Sequence, residues 1–166
     1  MAQLVRVLLA CAVSLCAGPA FAGDVCVLLS RADAAGLLGQ PVVAVSPAGP
    51  APDEDSGGRL SYCTWRAAGA AAVLSIVEFG SAAEAAKQLN EHWVTSRMDA
   101  DDGKVAAEGG IGDKAYWAVS SEAASYTFLK GARVVQIGVG GAADAQRPKE
   151  RKDALRTLAQ SLAKKL

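Results

Sequence analysis

The strongest constraint on the fold is a series of strand-length segments that follow one another with few helical patterns between them. In residues 60–66, Ser61, Cys63 and Trp65 fall on one face while Tyr62, Thr64 and Arg66 fall on the other. Residues 73–79, 114–119, 125–130 and 133–139 are further strand candidates, and 42–45 is a short one next to Pro41. Three helical patterns interrupt them. Ser30 precedes Asp33 by three residues and Gly39 follows Leu38, which predicts a capped helix over 31–38. Ser81-Ala82-Ala83-Glu84 is a capping box opening a helix to about Arg97, with a predicted buried stripe of Ala82, Ala86, Leu89 and Trp93. Pro148 suits the first turn of a last helix, where Leu155, Leu158, Ala159, Leu162 and Leu166 line one face. Sequential strands favour antiparallel pairing. The expected fold is therefore α+β, in the order α-β-β-β-α-β-β-β-α, with an antiparallel sheet of five to six strands and three helices able to cover one face. The Pro-, Gly- and Asp-rich stretches 46–59 and 98–112 read as long solvated loops.

The first 22 residues stand apart. They carry one cation, Arg6, then an apolar run, and end on Ala20-Phe21-Ala22, a small-residue pattern that predicts a signal peptide cleaved after Ala22. Residues 23–166 are then expected to form a single α+β domain. Lipid anchoring is the alternative, through Cys11 or Cys16. Only four residues separate Arg6 from Cys11, and the bulky Leu15 precedes Cys16. Cleavage after Ala22 leaves two of the four cysteines, Cys26 and Cys63, and an exported pair is expected to bridge. A reactive or metal-binding pair is the rival reading, although the chain holds a single histidine to complete a metal set.

Charge narrows the partners. The whole chain has 17 Lys+Arg and 17 Asp+Glu, and removing Arg6 leaves a net charge of −1. That balance argues against nucleic-acid binding, which depends on a basic field. No apolar stretch after residue 22 is long enough to span a bilayer. Residues 147–166 carry seven cations and two anions, so the last helix is either a docking surface for anionic lipid, an envelope polyanion or an acidic partner, or a helix whose cations suit its C-terminal half.

The chemistry-bearing candidates are few. His92 lies on one helical face with Glu84 and Gln88, a pattern typical of solvated surface, and no G-x-S-x-G elbow accompanies it. Asp99, Asp101 and Asp102 suggest a calcium loop. Counted from Asp99, however, position 5 is Gly103, position 6 is Lys104 and position 12 is Gly110, so the register fails. The glycines at 109–112 and 138–141 lack phosphate-loop spacing and read as turn residues. No catalytic set, metal site or cofactor is predicted. The outward face of 60–66, Tyr62, Thr64 and Arg66, is the candidate binding surface.

Cys26-Val27-Leu28-Leu29-Ser30, then Cys63-Thr64-Trp65, then Gly112-Asp113-Lys114-Ala115-Tyr116-Trp117 together resemble a family of small exported bacterial proteins. Its members are often lipid-anchored and are labelled a domain of unknown function. The resemblance implies an envelope location and a Cys26–Cys63 disulfide, and it transfers no catalytic residue. The expected function is that of an exported, periplasmic or secreted, non-enzymatic domain binding a protein or cell-envelope component. The alternatives are an inhibitor or immunity-type protein of a secreted enzyme, and a hydrolase using His92.

Overall fold

The computed structural model describes residues 24–98, 104–120, 123–141 and 148–166. The segment read as a signal peptide, its cleavage point after Ala22, and the aspartates 99–102 lie outside them. After a short 3-10 turn at Val25–Val27, the elements are α1 (Arg31–Leu38), β1 (Ala44–Pro52), β2 (Arg59–Ala67), β3 (Ala70–Glu78), α2 (Ala82–Met98), β4 (Lys104–Glu108), β5 (Lys114–Val119), β6 (Ala123–Lys130), β7 (Arg133–Gly141) and α3 (Pro148–Lys165). The fold is α+β, built on one seven-stranded sheet in the order β1-β2-β3-β7-β6-β5-β4. Every neighbouring pair is antiparallel.

The sheet has seven strands rather than the expected five to six, because the additional strand β4 hides in a stretch read as loop. β4 is a short edge strand of sequence Lys-Val-Ala-Ala-Glu, mostly exposed, so it has little apolar alternation to reveal it. The loop read over 46–59 is also corrected. β1 continues through Pro47, Pro50 and Pro52, which an edge strand tolerates because half of its N–H groups need no ladder partner. Its register with β2 shifts between Ala48 and Ala51. Gly49 sits in that shift at φ +89°, where a Cβ would fall 2.4 Å from the Leu60 carbonyl oxygen, so only glycine fits. The remaining acidic residues form a tight turn in which Asp53 N–H donates to Gly58 O and Gly57 N–H donates to Asp53 O. Gly138, Gly140 and Gly141 are not turn residues: they lie inside β7, paired with β3.

The caps are as the residue types dictate. Ser30 Oγ accepts from Asp33 N–H at 3.0 Å, and Gly39 closes α1 in the left-handed region at φ +68°. Ser81 Oγ accepts from Glu84 N–H at 3.2 Å to start α2.

Helix placement departs from the expected one-face arrangement. α1, α3 and the 3-10 turn pack on one face of the sheet, around Cys63, Trp65, Leu74, Ile76, Trp117, Tyr126, Phe128, Val135 and Ile137. α2 packs on the other face, against Tyr116, Leu129 and Val134. The alternation of Val134 and Val135, and of Tyr116 and Trp117, requires this, because in each pair both residues are buried and neighbours on a strand point to opposite faces. The buried positions of α2 are Ala85 and Leu89, with Ala86 and Trp93 packed at the margin and Ala82 exposed. The predicted stripe was therefore off by part of a turn at its N-terminal end.

Cys26 and Cys63 form a disulfide across 37 residues of sequence, pinning the 3-10 turn to the buried face of β2. In the chain-entropy description a loop of that length contributes roughly 3.5–4 kcal/mol. A Cys26→Ala/Cys63→Ala protein is expected to lose about that much stability in urea unfolding, and a loss below about 1 kcal/mol would show the bridge to be dispensable.

Candidate functional site

Three features of the α2-bearing face, and one of the opposite face, bring together side chains capable of chemistry or recognition. The first centres on Tyr116. Its ring is buried on β5 at 2% exposure, packed edge-on against Trp93 with ring centroids 5.1 Å apart. Its hydroxyl is hydrogen-bonded to His92 Nδ1, and Ser96 Oγ lies 3.4 Å from the same hydroxyl and 3.5 Å from Nδ1. Helical spacing explains the convergence: His92 and Ser96 are four residues apart and stand on the edge of α2 that overlies β5. His92 is therefore not merely solvated surface, as its pattern with Glu84 and Gln88 suggested. One ring nitrogen is anchored under the helix while the rest of the residue meets solvent. Partial desolvation holds its pKa below the ordinary imidazole value. Nδ1 shares that hydrogen bond with the Tyr116 hydroxyl, and among the described residues no carboxylate is hydrogen-bonded to the ring. Chemically the trio fixes the helix on the sheet. Ser96 is too distant from Nδ1 for a tight nucleophile–base hydrogen bond.

The second feature is a groove of about 570 Å³ beside that trio, between α2 and the β4–β5 edge. Leu89 and Trp93 form its helical wall, Tyr116 and Ala107 its floor, and Lys114 its mouth. Lys114 Nζ donates to Asn90 Oδ1 at 2.5 Å across that mouth.

The third is the candidate surface Tyr62, Thr64 and Arg66. The three share the α2-bearing face, as the alternation predicted, but they do not contribute equally. Tyr62 is 39% exposed and Arg66 is exposed, whereas Thr64 is 9% exposed and largely covered by its neighbours. Thr64 pairs with Val73 of β3, which is 37% exposed, so Val73 rather than Thr64 is the side chain in view there. Val73 was legible as an alternate position of its strand, but its face could not be assigned without the register.

On the opposite face, Glu108 at the end of β4 joins a polar cluster. Its carboxylate lies 3.0 Å from Lys152 Nζ and 3.4 Å from Arg156 Nη1, and accepts from Tyr126 Oη at 3.3 Å. Lys152 also stands over Trp117, 5.8 Å from the ring centroid. The Lys152 hydrogen bond outweighs desolvation and lowers the Glu108 pKa, while burial and the adjacent carboxylate push the Tyr126 phenol upward. The cluster ties the edge strand β4 to α3.

Among the described residues no group of three or more His, Cys, Asp or Glu side chains could hold a metal ion, and no helix is long and apolar enough to cross a membrane. A comparison with known protein families and with characterised proteins finds no match for the chain.

Two measurements follow from these geometries. His92 is the chain's single histidine, so its ring resonances titrate alone and are expected to show a midpoint below the ordinary imidazole value. A base with a lowered folded pKa favours the unfolded state when protonated. Its contribution is therefore complete above the unfolded pKa and declines as pH falls below about 6.5. A midpoint at or above the free value would refute the desolvated geometry. Glu108 has the acid's sign: a lowered folded pKa gives stability that is present above the unfolded value and lost on acidification. Glu108→Gln is expected to cost about 1 kcal/mol at neutral pH, modest because Lys152 and Arg156 stay partly exposed. The variant should also show a shallower stability loss than wild type below about pH 5.

Proposed function

We propose that the chain is an exported, periplasmic or secreted, non-enzymatic domain that binds a protein or cell-envelope component through the uncovered half of its sheet. One observation carries the reading. α2 lies over the β4–β7 side of its face, while over β1–β3 the same face presents Tyr62, Val73 and Arg66 to solvent. Beside them β1 contributes the exposed Ala44 and Ser46 and the half-buried Ala48, all small, in register with Arg66, Thr64 and Tyr62. The result is a rigid strip on paired strands, with an amphipathic aromatic and a guanidinium side by side. Tyr and Arg are the residue types that anchor protein interfaces, and paired strands hold their backbone in place before a partner arrives. The Cys26–Cys63 bridge is in keeping with an oxidising compartment, and the resemblance to small exported envelope proteins supports the same location.

The test has two arms. Intact mass of the exported protein should begin at Gly23 and lie two hydrogens below the reduced value. A lipid-bearing mass starting at Cys11 or Cys16 would replace the soluble reading with an anchored one. Immobilised wild type should retain a component of an envelope extract that Tyr62→Ala/Arg66→Ala protein retains at least about tenfold less, with melting temperature unchanged because both side chains are exposed. Equal retention by the two proteins would remove this surface from consideration.

A further inference from the structure

The groove between α2 and the β4–β5 edge is a separate place from the bare strip, and its chemistry is more specific. We propose that it binds a small aromatic carboxylate, with the ring against Trp93 and the carboxylate on Lys114 Nζ.

The shape comes from side-chain size. Ala107 lies directly opposite Tyr116 in the β4–β5 register and is exposed, so a methyl group stands where a larger side chain would meet α2. Gly109, two residues further on, has no side chain at all. The volume left, about 570 Å³, lies within the roughly 300–1,000 Å³ of small-molecule sites. The wall is aromatic, because Trp93 is held edge-on by Tyr116, itself fixed by His92. A pre-positioned indole offers a flat ligand an apolar contact without first losing rotamer freedom.

Charge selects the sign of the ligand. Of the two carboxylate residues lining the groove, Glu108 is engaged with Lys152, Arg156 and Tyr126, and Asp113 Oδ2 accepts from Gly131 N–H at 2.8 Å. Lys114, by contrast, has only the neutral Asn90 amide as a hydrogen-bond partner among the described residues. Arg97 stands 6.0 Å from the Trp93 ring centroid and adds a second cation near the indole. Of the remaining charges on α2, Glu91 lies 3.7 Å from Lys87. An anion at the mouth would give Lys114 the charged partner it lacks, while Asn90 remains available to hydrogen-bond the same oxygen.

The test uses the full mature protein and three probes: naphthoate, naphthylmethylammonium, and octanoate. The readout is the indole N–H resonance of each tryptophan. Trp65 and Trp117 are buried on the opposite face and serve as internal controls. Naphthoate is expected to shift the Trp93 resonance saturably and leave the other two in place. Lys114→Gln should weaken that binding about tenfold or more, the usual effect of losing a charge-assisted hydrogen bond. Ala107→Phe should abolish it by filling the groove. Both substituted positions are exposed, and should Ala107→Phe disturb the fold, Lys114→Gln decides alone. The proposal is overturned if no saturable Trp93 shift occurs, if the cationic probe binds as well as naphthoate, or if Lys114→Gln binds naphthoate like wild type. Tighter binding of octanoate than of naphthoate overturns the aromatic assignment. None of these outcomes bears on capture through Tyr62 and Arg66, so the two readings stand or fall separately.

Discussion

The β3–β7 pairing is the constraint on which the rest of the molecule depends. Each half of the chain makes its own strand-to-strand meander, β1-β2-β3 and β4-β5-β6-β7, and only this ladder joins them into one sheet. Nine residue pairs run without a shift from Ala70–Gly141 to Glu78–Arg133. The ladder ends on an ion pair, with Arg133 Nε 3.1 Å from Glu78 and its Nη1 bonded to the carbonyl of Leu166. The central strands therefore also fix the end of α3. Because side chains alternate strictly, this one register decides which residues meet α1 and α3 and which meet α2. A slip of β3 by one residue would turn Leu74 and Ile76 away from the core they share with Val135 and Ile137. The glycines of β7 belong to the same device: a Cβ on Gly141 would fall 2.2 Å from the Gly69 carbonyl oxygen, so a side chain there would push the strands apart.

Much of this was legible wherever burial is two-sided or one-sided and strong. α1 was readable to the residue from its Ser30 and Gly39 caps, and β5 from its apolar centre, because local hydrogen bonding and core alternation both leave a mark on sequence. β4 was not, nor was β1 beyond the start that the strand read over 42–45 overlaps, and the reason is physical. Both are edge strands, held by a ladder on one side and exposed on most of their surface, so nothing selects for apolar residues at alternate positions. The candidate site shows the same division. The outward direction of Tyr62 and Arg66 followed from alternation, and Thr64 shared their face as expected. Its burial depended on which residue of β3 lay opposite, and that is a pairing fact. The His92–Tyr116 contact was invisible for a similar reason. It joins residues 24 apart through a helix-to-sheet packing angle, and no spacing in the sequence encodes that.

The placement of α2 explains why this face, and not the other, presents recognition surfaces. Seven strands at about 4.8 Å spacing make a sheet roughly 29 Å across, whereas one helix with its side chains covers about 10 Å. On the opposite face α1, α3 and the disulfide-pinned N-terminal turn share the width, and their apolar residues merge into one core. Among the described residues the α2-bearing face has a single helix, which leaves both flanks open. The flanks then differ in kind because their strands differ. On the β1–β3 side the residues in view are an aromatic, a guanidinium and small groups on well-paired strands, a flat surface suited to a large partner. On the β4–β5 side a short strand of alanines stands next to the helix wall, which makes a concave space suited to a small one. The anchoring of α2 is common to both. Leu89 and Ala85 seat the helix on Tyr116, Leu129 and Val134, and the hydroxyl of Tyr116 fixes His92 above it.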